Sequence, residues 1–282
     1  MLSCESVYVR SPGATLAVRH YAGSGDPIVL LHGGPGMGDY FDTLPEMLSP
    51  RRVIRYDQRG CGKSLCDGSF DVDKQIADLD AIRAHFGAAR IHLFGHSWGG
   101  LLGQLYAKAR PDRVASLVLC CSMANTGRNV AKMESKGIAE RVIGRKKRTL
   151  GWLAAGTMMQ LPGRLGDVGF GFVMKQLLPH YVVHPERAPK HFDVNRASKR
   201  AWRGTGKSIR EIPEDYLTRM AFDAPVLIVQ GERDVIRETN PLLAERFPGA
   251  TNVRIPDTAH FPWVEEPQMF SKTLLDFYGS AT

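Results

Sequence analysis

Gly95-His96-Ser97-Trp98-Gly99 follows the apolar run Arg90-Ile91-His92-Leu93-Phe94 and leads into the helical pattern Leu101-Leu102-Gly103-Gln104-Leu105-Tyr106-Ala107. A serine between glycines, on a sharp turn from strand to helix, has the sequence form of a nucleophile elbow. The strained backbone at the serine requires small neighbours, so that the adjoining strand and helix can approach closely. Gly95, Gly99 and Gly100 meet that requirement. The hydroxyl of Ser97 is expected at a helix N-terminus, where negative charge is favoured.

Working outward, Ala224-Pro225-Val226-Leu227-Ile228-Val229-Gln230 reads as a buried strand with Gly231-Glu232-Arg233-Asp234 at its end. A second strand, Thr251-Asn252-Val253-Arg254-Ile255-Pro256, precedes Asp257-Thr258-Ala259-His260. Serine, acid and base each fall just past a strand end, in the order Ser97, Asp234, His260, which distinguishes this arrangement from the other two serine-triad orders. Asp257 is an alternative acid, but it shares its loop with the base. Upstream, the strand Pro27-Ile28-Val29-Leu30-Leu31 runs into His32-Gly33-Gly34-Pro35-Gly36. Glycines there would let backbone N–H groups reach a developing oxyanion, and the expected donors are the N–H groups of Gly34 and Trp98. Gly33 and Pro35 beside them, with Trp202 farther along, are the expected substrate contacts.

The chain of 282 residues is long enough for one large α/β domain with an insertion. Its first residues lack the basic then apolar order of a signal peptide, and no apolar run reaches membrane-spanning length, so a cytoplasmic location without membrane association is expected. The five cysteines are odd in number and contain no C-x-x-C pair, which reads as free thiols and no metal. Net charge is +8, and residues 123–220 hold 19 Lys and Arg against 8 Asp and Glu, with Arg145-Lys146-Lys147-Arg148 the densest cluster. No recognition motif or aromatic platform accompanies that charge, so nucleic-acid binding is not expected. The plain reading is a solvated basic face; the alternative is attraction of an acidic small-molecule substrate or carrier. Gly60-Cys61-Gly62-Lys63-Ser64 is similar to part of a phosphate-binding loop, but Asp57 stands where that loop requires glycine, and nucleotide binding is rejected.

Residues 5–21 read as an antiparallel hairpin. Strands are then expected at 28–31, 53–56, 91–94, 115–121, 226–230 and 252–255, alternating with helices at 40–48, 73–86, 101–109, 241–247 and 267–278. Such alternation implies a mainly parallel sheet covered on both faces, with ligands at the strand C-terminal ends. The rhythm breaks across 123–220, where apolar patches at 150–155 and 172–178 occur without strands, as in a helical cap whose glycines lend flexibility. Residues 1–122 and 221–282 are the expected core domain.

These features together resemble the α/β-hydrolase fold, and within it the proline-iminopeptidase-like branch. His32-Gly33-Gly34-Pro35-Gly36 is similar to that branch's oxyanion-loop signature, Asp57-Gln58-Arg59-Gly60-Cys61-Gly62-Lys63-Ser64 to its D-Q-R-G-x-G-x-S signature, and Ser97-Trp98 to its nucleophile followed by tryptophan. The resemblance implies an eight-stranded, mainly parallel sheet with the cap inserted after the sixth strand, a serine-hydrolase activity and no cofactor. It departs from the branch in two places. Ala201-Trp202-Arg203-Gly204-Thr205-Gly206-Lys207-Ser208 lacks the acid that would hold a substrate ammonium, and His96 stands where glycine is common. A small ester, lactone or amide is therefore expected as substrate. Proline iminopeptidase, carrier-directed thioesterase or acyl transferase, and non-catalytic receptor stand as alternatives.

Overall fold

The computed structural model describes residues 3–128, 154, 156–188, 193–218 and 220–280. Its nine strands are β1 (Cys4–Ser11), β2 (Ala14–Tyr21), β3 (Ser24–Leu31), β4 (Arg51–Tyr56), β5 (Leu65–Cys66), β6 (Ile91–His96), β7 (Val114–Cys120), β8 (Val226–Gly231) and β9 (Thr251–Ile255). They form one sheet in the order β1-β2-β4-β3-β6-β7-β8-β9. The two-residue β5 pairs beside β2 as a ninth strand beyond the eight expected. β1, β2 and β5 pair antiparallel and every pairing from β4 to β9 is parallel.

The parallel strands are apolar throughout because both faces are covered. On β3, Val29 and Leu31 join a core cluster with Leu101 and Leu105, while Ile28 and Leu30 pack on the other face with Phe270 and Leu274. Each such buried side chain contributes about 1.5–3 kcal/mol. Among the described residues the helices include α1 (Leu44–Met47), α2 (Val72–His85), α3 (Trp98–Ala109), α4 (Gly163–Leu177), α5 (Lys199–Glu211), α6 (Asn240–Arg246), α7 (Pro262–Glu265) and α8 (Pro267–Ser280). α4 and α5 lie between β7 and β8, in the stretch read as a cap. The patch at 150–155 falls almost wholly outside the described residues, as does the cluster Arg145–Arg148.

One expectation fails for an identifiable reason. The helix expected over 40–48 is a single turn, α1. Asp39 Oδ1 accepts the Phe41 N–H, and the Asp39 N–H is donated to Asp57, so side-chain bonds take the groups a longer helix would need. Two of the α4 glycines are packing positions: a Cβ on Gly166 would strike the Leu161 carbonyl, and one on Gly169 the Met158–Met159 backbone, whereas Gly163 has open space around it. Among the described residues no helix is long and apolar enough to cross a membrane.

Candidate active site

Strand β6 ends in the elbow, where Ser97 has φ 55° and ψ −120°, a conformation that a residue with a Cβ adopts only under constraint. The constraint is the close packing of β6, α3 and β3. A Cβ on Gly95 would run into Gly100, one on Gly99 into the Leu31 carbonyl, and one on Gly100 into Ser122. The Ser97 N–H donates to the Cys120 carbonyl at 3.1 Å, and its own carbonyl accepts from Gly100 and Met123, fixing both sides of the turn.

Asp234 lies past the end of β8 and His260 past the end of β9, both buried. His260 Nδ1 lies 2.7 Å from Asp234 Oδ1. A carboxylate oxygen only accepts, so in the neutral ring Nδ1 carries the proton and Nε2 is left as a base. The described residues contain no direct hydrogen bond from Ser97 Oγ to His260; both line the same cavity, and such bonds tighten in substrate complexes. Asp257, the alternative acid, is exposed and pairs instead with His184 at 2.8 Å and Arg233 at 3.7 Å. Cys121 Sγ also comes within 4.8 Å of the Asp234 and His260 heteroatoms. Burial, the Cys120 thiol and the Asp234 carboxylate hold the Cys121 thiol well above its ordinary pKa, which disfavours a thiolate ligand.

Two networks hold the surrounding loops. His96 Nε2 faces the His260 carbonyl at 2.8 Å and therefore donates to it. His96 Nδ1 then accepts from the Tyr40 hydroxyl at 2.6 Å, whose oxygen accepts the Gly33 N–H at 2.6 Å. Burial and the neighbouring His260 keep His96 well below the ordinary histidine pKa, so it stays neutral and preserves this tautomer. The second network is centred on Gln58, whose amide donates to the His32 carbonyl at 2.8 Å and accepts from the Trp98 indole at 2.9 Å. Its own N–H donates to His32 Nε2 at 3.0 Å. Glu265, in the short helix α7, is buried. Its carboxylate accepts from the N–H groups of Val183 and Ala259, which fixes the loop carrying His260.

Ser97 and His260 open onto a cavity of about 970 Å³, with Gly34, Pro35 and Trp202 also on its wall. Gly34 has φ 51°, a backbone that glycine adopts freely. Trp98 is the first residue of α3, so its N–H has no acceptor within the helix. Its indole is fully buried in the core and is not part of the cavity wall. Gly33 is absent from the wall, and its N–H is already engaged by Tyr40. The walls are largely apolar, with Met37, Met123, Met159, Met174, Phe170 and Phe261. Sequence reading missed Tyr40, Gln58 and Glu265; the one signal was His96 where glycine is common.

The profile of the alpha/beta hydrolase fold family matches residues 26–267. A proline iminopeptidase of Clostridioides difficile (strain 630) is 42% identical over 105 residues, covering 35% of this chain and 36% of that protein, so the match spans about a third of the relative. One from Lactobacillus delbrueckii subsp. lactis is 27% identical over 274 residues, 89% of each chain. Among solved structures, a thermophilic esterase from Thermogutta terrifontis superposes with a TM-score of 0.68 at 24% identity, over 98% of this chain and 99% of that one. The chain therefore belongs to the alpha/beta hydrolase fold family, with proline iminopeptidases among the proteins it is similar to.

Proposed function

We propose that the protein is a serine hydrolase that cleaves an ester through an acyl-enzyme. The observation carrying this reading is the strained Ser97 on the wall of the cavity that His260 also lines, with the His260–Asp234 pair at 2.7 Å. His260 Nε2 takes the Ser97 proton as Oγ attacks the carbonyl carbon, and Asp234 stabilises the imidazolium. The Gly34 and Trp98 N–H groups receive the oxyanion, in a position that Gln58 maintains by tying His32 to Trp98. The imidazolium protonates the leaving alcohol, and water deprotonated by His260 then releases the acid.

Release of N-terminal proline is the second reading, supported by the near full-length resemblance to the Lactobacillus enzyme. Against it, no carboxylate lines the cavity among the described residues, so nothing there pairs with a substrate ammonium. A fluorophosphonate label and two substrates, 4-nitrophenyl hexanoate and a prolyl arylamide, test both. Ester turnover and labelling that Ser97→Ala abolishes, with folding intact, are expected. Turnover retained in Ser97→Ala would remove the serine mechanism, and a preference for the prolyl amide would replace the esterase reading.

A further inference from the structure

The cap helix α5 presents Arg203, Lys207 and Arg210 to the cavity. The spacing of four and three residues places them along one helical face, beside Trp202 and Gly206 on the same wall. Lys207 lies 3.7 Å from Glu211 and is partly neutralised by it. Arg203 and Arg210 have no ion-pair partner among the described residues, and both are exposed while lining the cavity. The opposite face of the helix is occupied in holding the cap to the core: Ser208 Oγ accepts the Val72 N–H, and Thr205 Oγ1 accepts from Gln75. The basic face is thus fixed toward the cavity by bonds on its back.

Resting on the serine-hydrolase reading, we infer that Arg203 and Arg210 form an anion subsite, and that the preferred substrate is a small ester with a carboxylate separated from the scissile carbonyl by an apolar chain. Such a molecule satisfies both halves of the site. Its chain lies against Met37, Met123, Met174 and Phe170, and its carboxylate reaches guanidinium groups that offer paired donors. A neutral ester of equal length would gain only the apolar contact, and an ammonium-ended one would be repelled.

The test compares the 4-nitrophenyl monoester of adipic acid with 4-nitrophenyl hexanoate, which has the same chain length and no charge. Wild type is expected to favour the adipate ester about tenfold in kcat/KM, the scale of two or three solvent-exposed charge pairs acting together. Arg203→Gln/Arg210→Gln removes that preference through KM while leaving hexanoate turnover within about twofold. Arg203→Glu/Arg210→Glu shifts preference toward the 6-aminohexanoate ester. Equal wild-type rates on the two esters, or a preference surviving in the double Gln variant, overturn the subsite. If neither ester is turned over, the hydrolase reading fails separately. Calorimetric affinity for monomethyl adipate against methyl hexanoate then decides the subsite, equal affinities overturning it.

Discussion

Replacing Ser97 by glycine should make the protein more stable than replacing it by alanine. Both changes remove the hydroxyl, so their difference isolates the Cβ at φ 55° and ψ −120°. Holding a residue with a Cβ in that region costs roughly 1–3 kcal/mol, which glycine does not incur. Glycine gives back about 0.5–1 kcal/mol through the greater freedom of its unfolded chain. The lost methyl is half-buried and forfeits roughly another 0.4 kcal/mol, half the value of a fully buried carbon. The balance is about 1 kcal/mol in favour of Ser97→Gly, or a rise in Tm of about 2–4 °C over Ser97→Ala for a domain of this size. At an unstrained position the same comparison has the opposite sign. Paired urea melts and thermal scans measure the difference, with both variants inactive toward esters. Equal stabilities, or a more stable alanine variant, would refute the account of the elbow as a strained turn held by its neighbours.

Two further outcomes are expected. Gln58→Leu should lower ester kcat by roughly 10–100-fold with KM nearly unchanged, because displaced oxyanion donors act only on the transition state; steady-state kinetics check it, and an unaltered kcat would remove Gln58 from the positioning of the donors. His92 is buried with Nδ1 2.8 Å from Ser116 Oγ, and burial with nearby arginines pushes its pKa from 6.5 down to about 4. Between those values the unfolded chain binds a proton that the folded chain does not, so this contribution is intact above pH 6.5 and lost as pH falls toward 4, by about 3 kcal/mol in full. His92→Gln should therefore flatten the pH dependence of the urea midpoint between pH 7 and 4.5; an identical slope in the variant would contradict it.

The β-strands and the loops carrying Ser97, Asp234 and His260 were legible because they rest on local patterns: short apolar runs, glycines beside a serine, and polar residues just past strand ends. The helix over 40–48 was misread because its apolar periodicity carries no sign that Asp39 is bonded to Asp57, eighteen residues away. Tyr40, Gln58 and Glu265 were missed for a related reason. Each works by joining segments far apart in the chain: Tyr40 joins Gly33 to His96, Gln58 joins His32 to Trp98, and Glu265 joins Val183 to Ala259. Residue type alone gives no clue to such partners. Composition likewise marked 123–220 as basic without indicating which cations face the cavity, since that depends on the rotation of α5 about its axis.

The D-Q-R-G stretch joins these parts mechanically. Asp57 is fully buried, and although burial works to raise its pKa, Arg196, Arg19 and the N–H groups of Asp39 and Lys63 hold it below the ordinary value. Arg196 reaches it from the chain just before α5, at 2.5 Å. The Arg196 carbonyl accepts the Gly62 N–H, and the Ser198 N–H donates to the Gly36 carbonyl at 2.7 Å. A Cβ on Gly36 would meet the Trp202 backbone at 2.9 Å. The start of α5 is therefore packed directly on the loop that carries Gly34. Arg59, next in the same stretch, is tied to Asp78 on α2 through two bonds of 2.7 and 2.8 Å, which anchors the stretch to the core. The α5 residues on the cavity wall and the loop of Gly34 thus ride on one ion-pair cluster centred on the buried Asp57. On the proposed mechanism, a displacement of the cap at Arg196 would reach the loop of Gly34 through Asp57 and Gly36, and so would couple substrate selection to transition-state stabilisation.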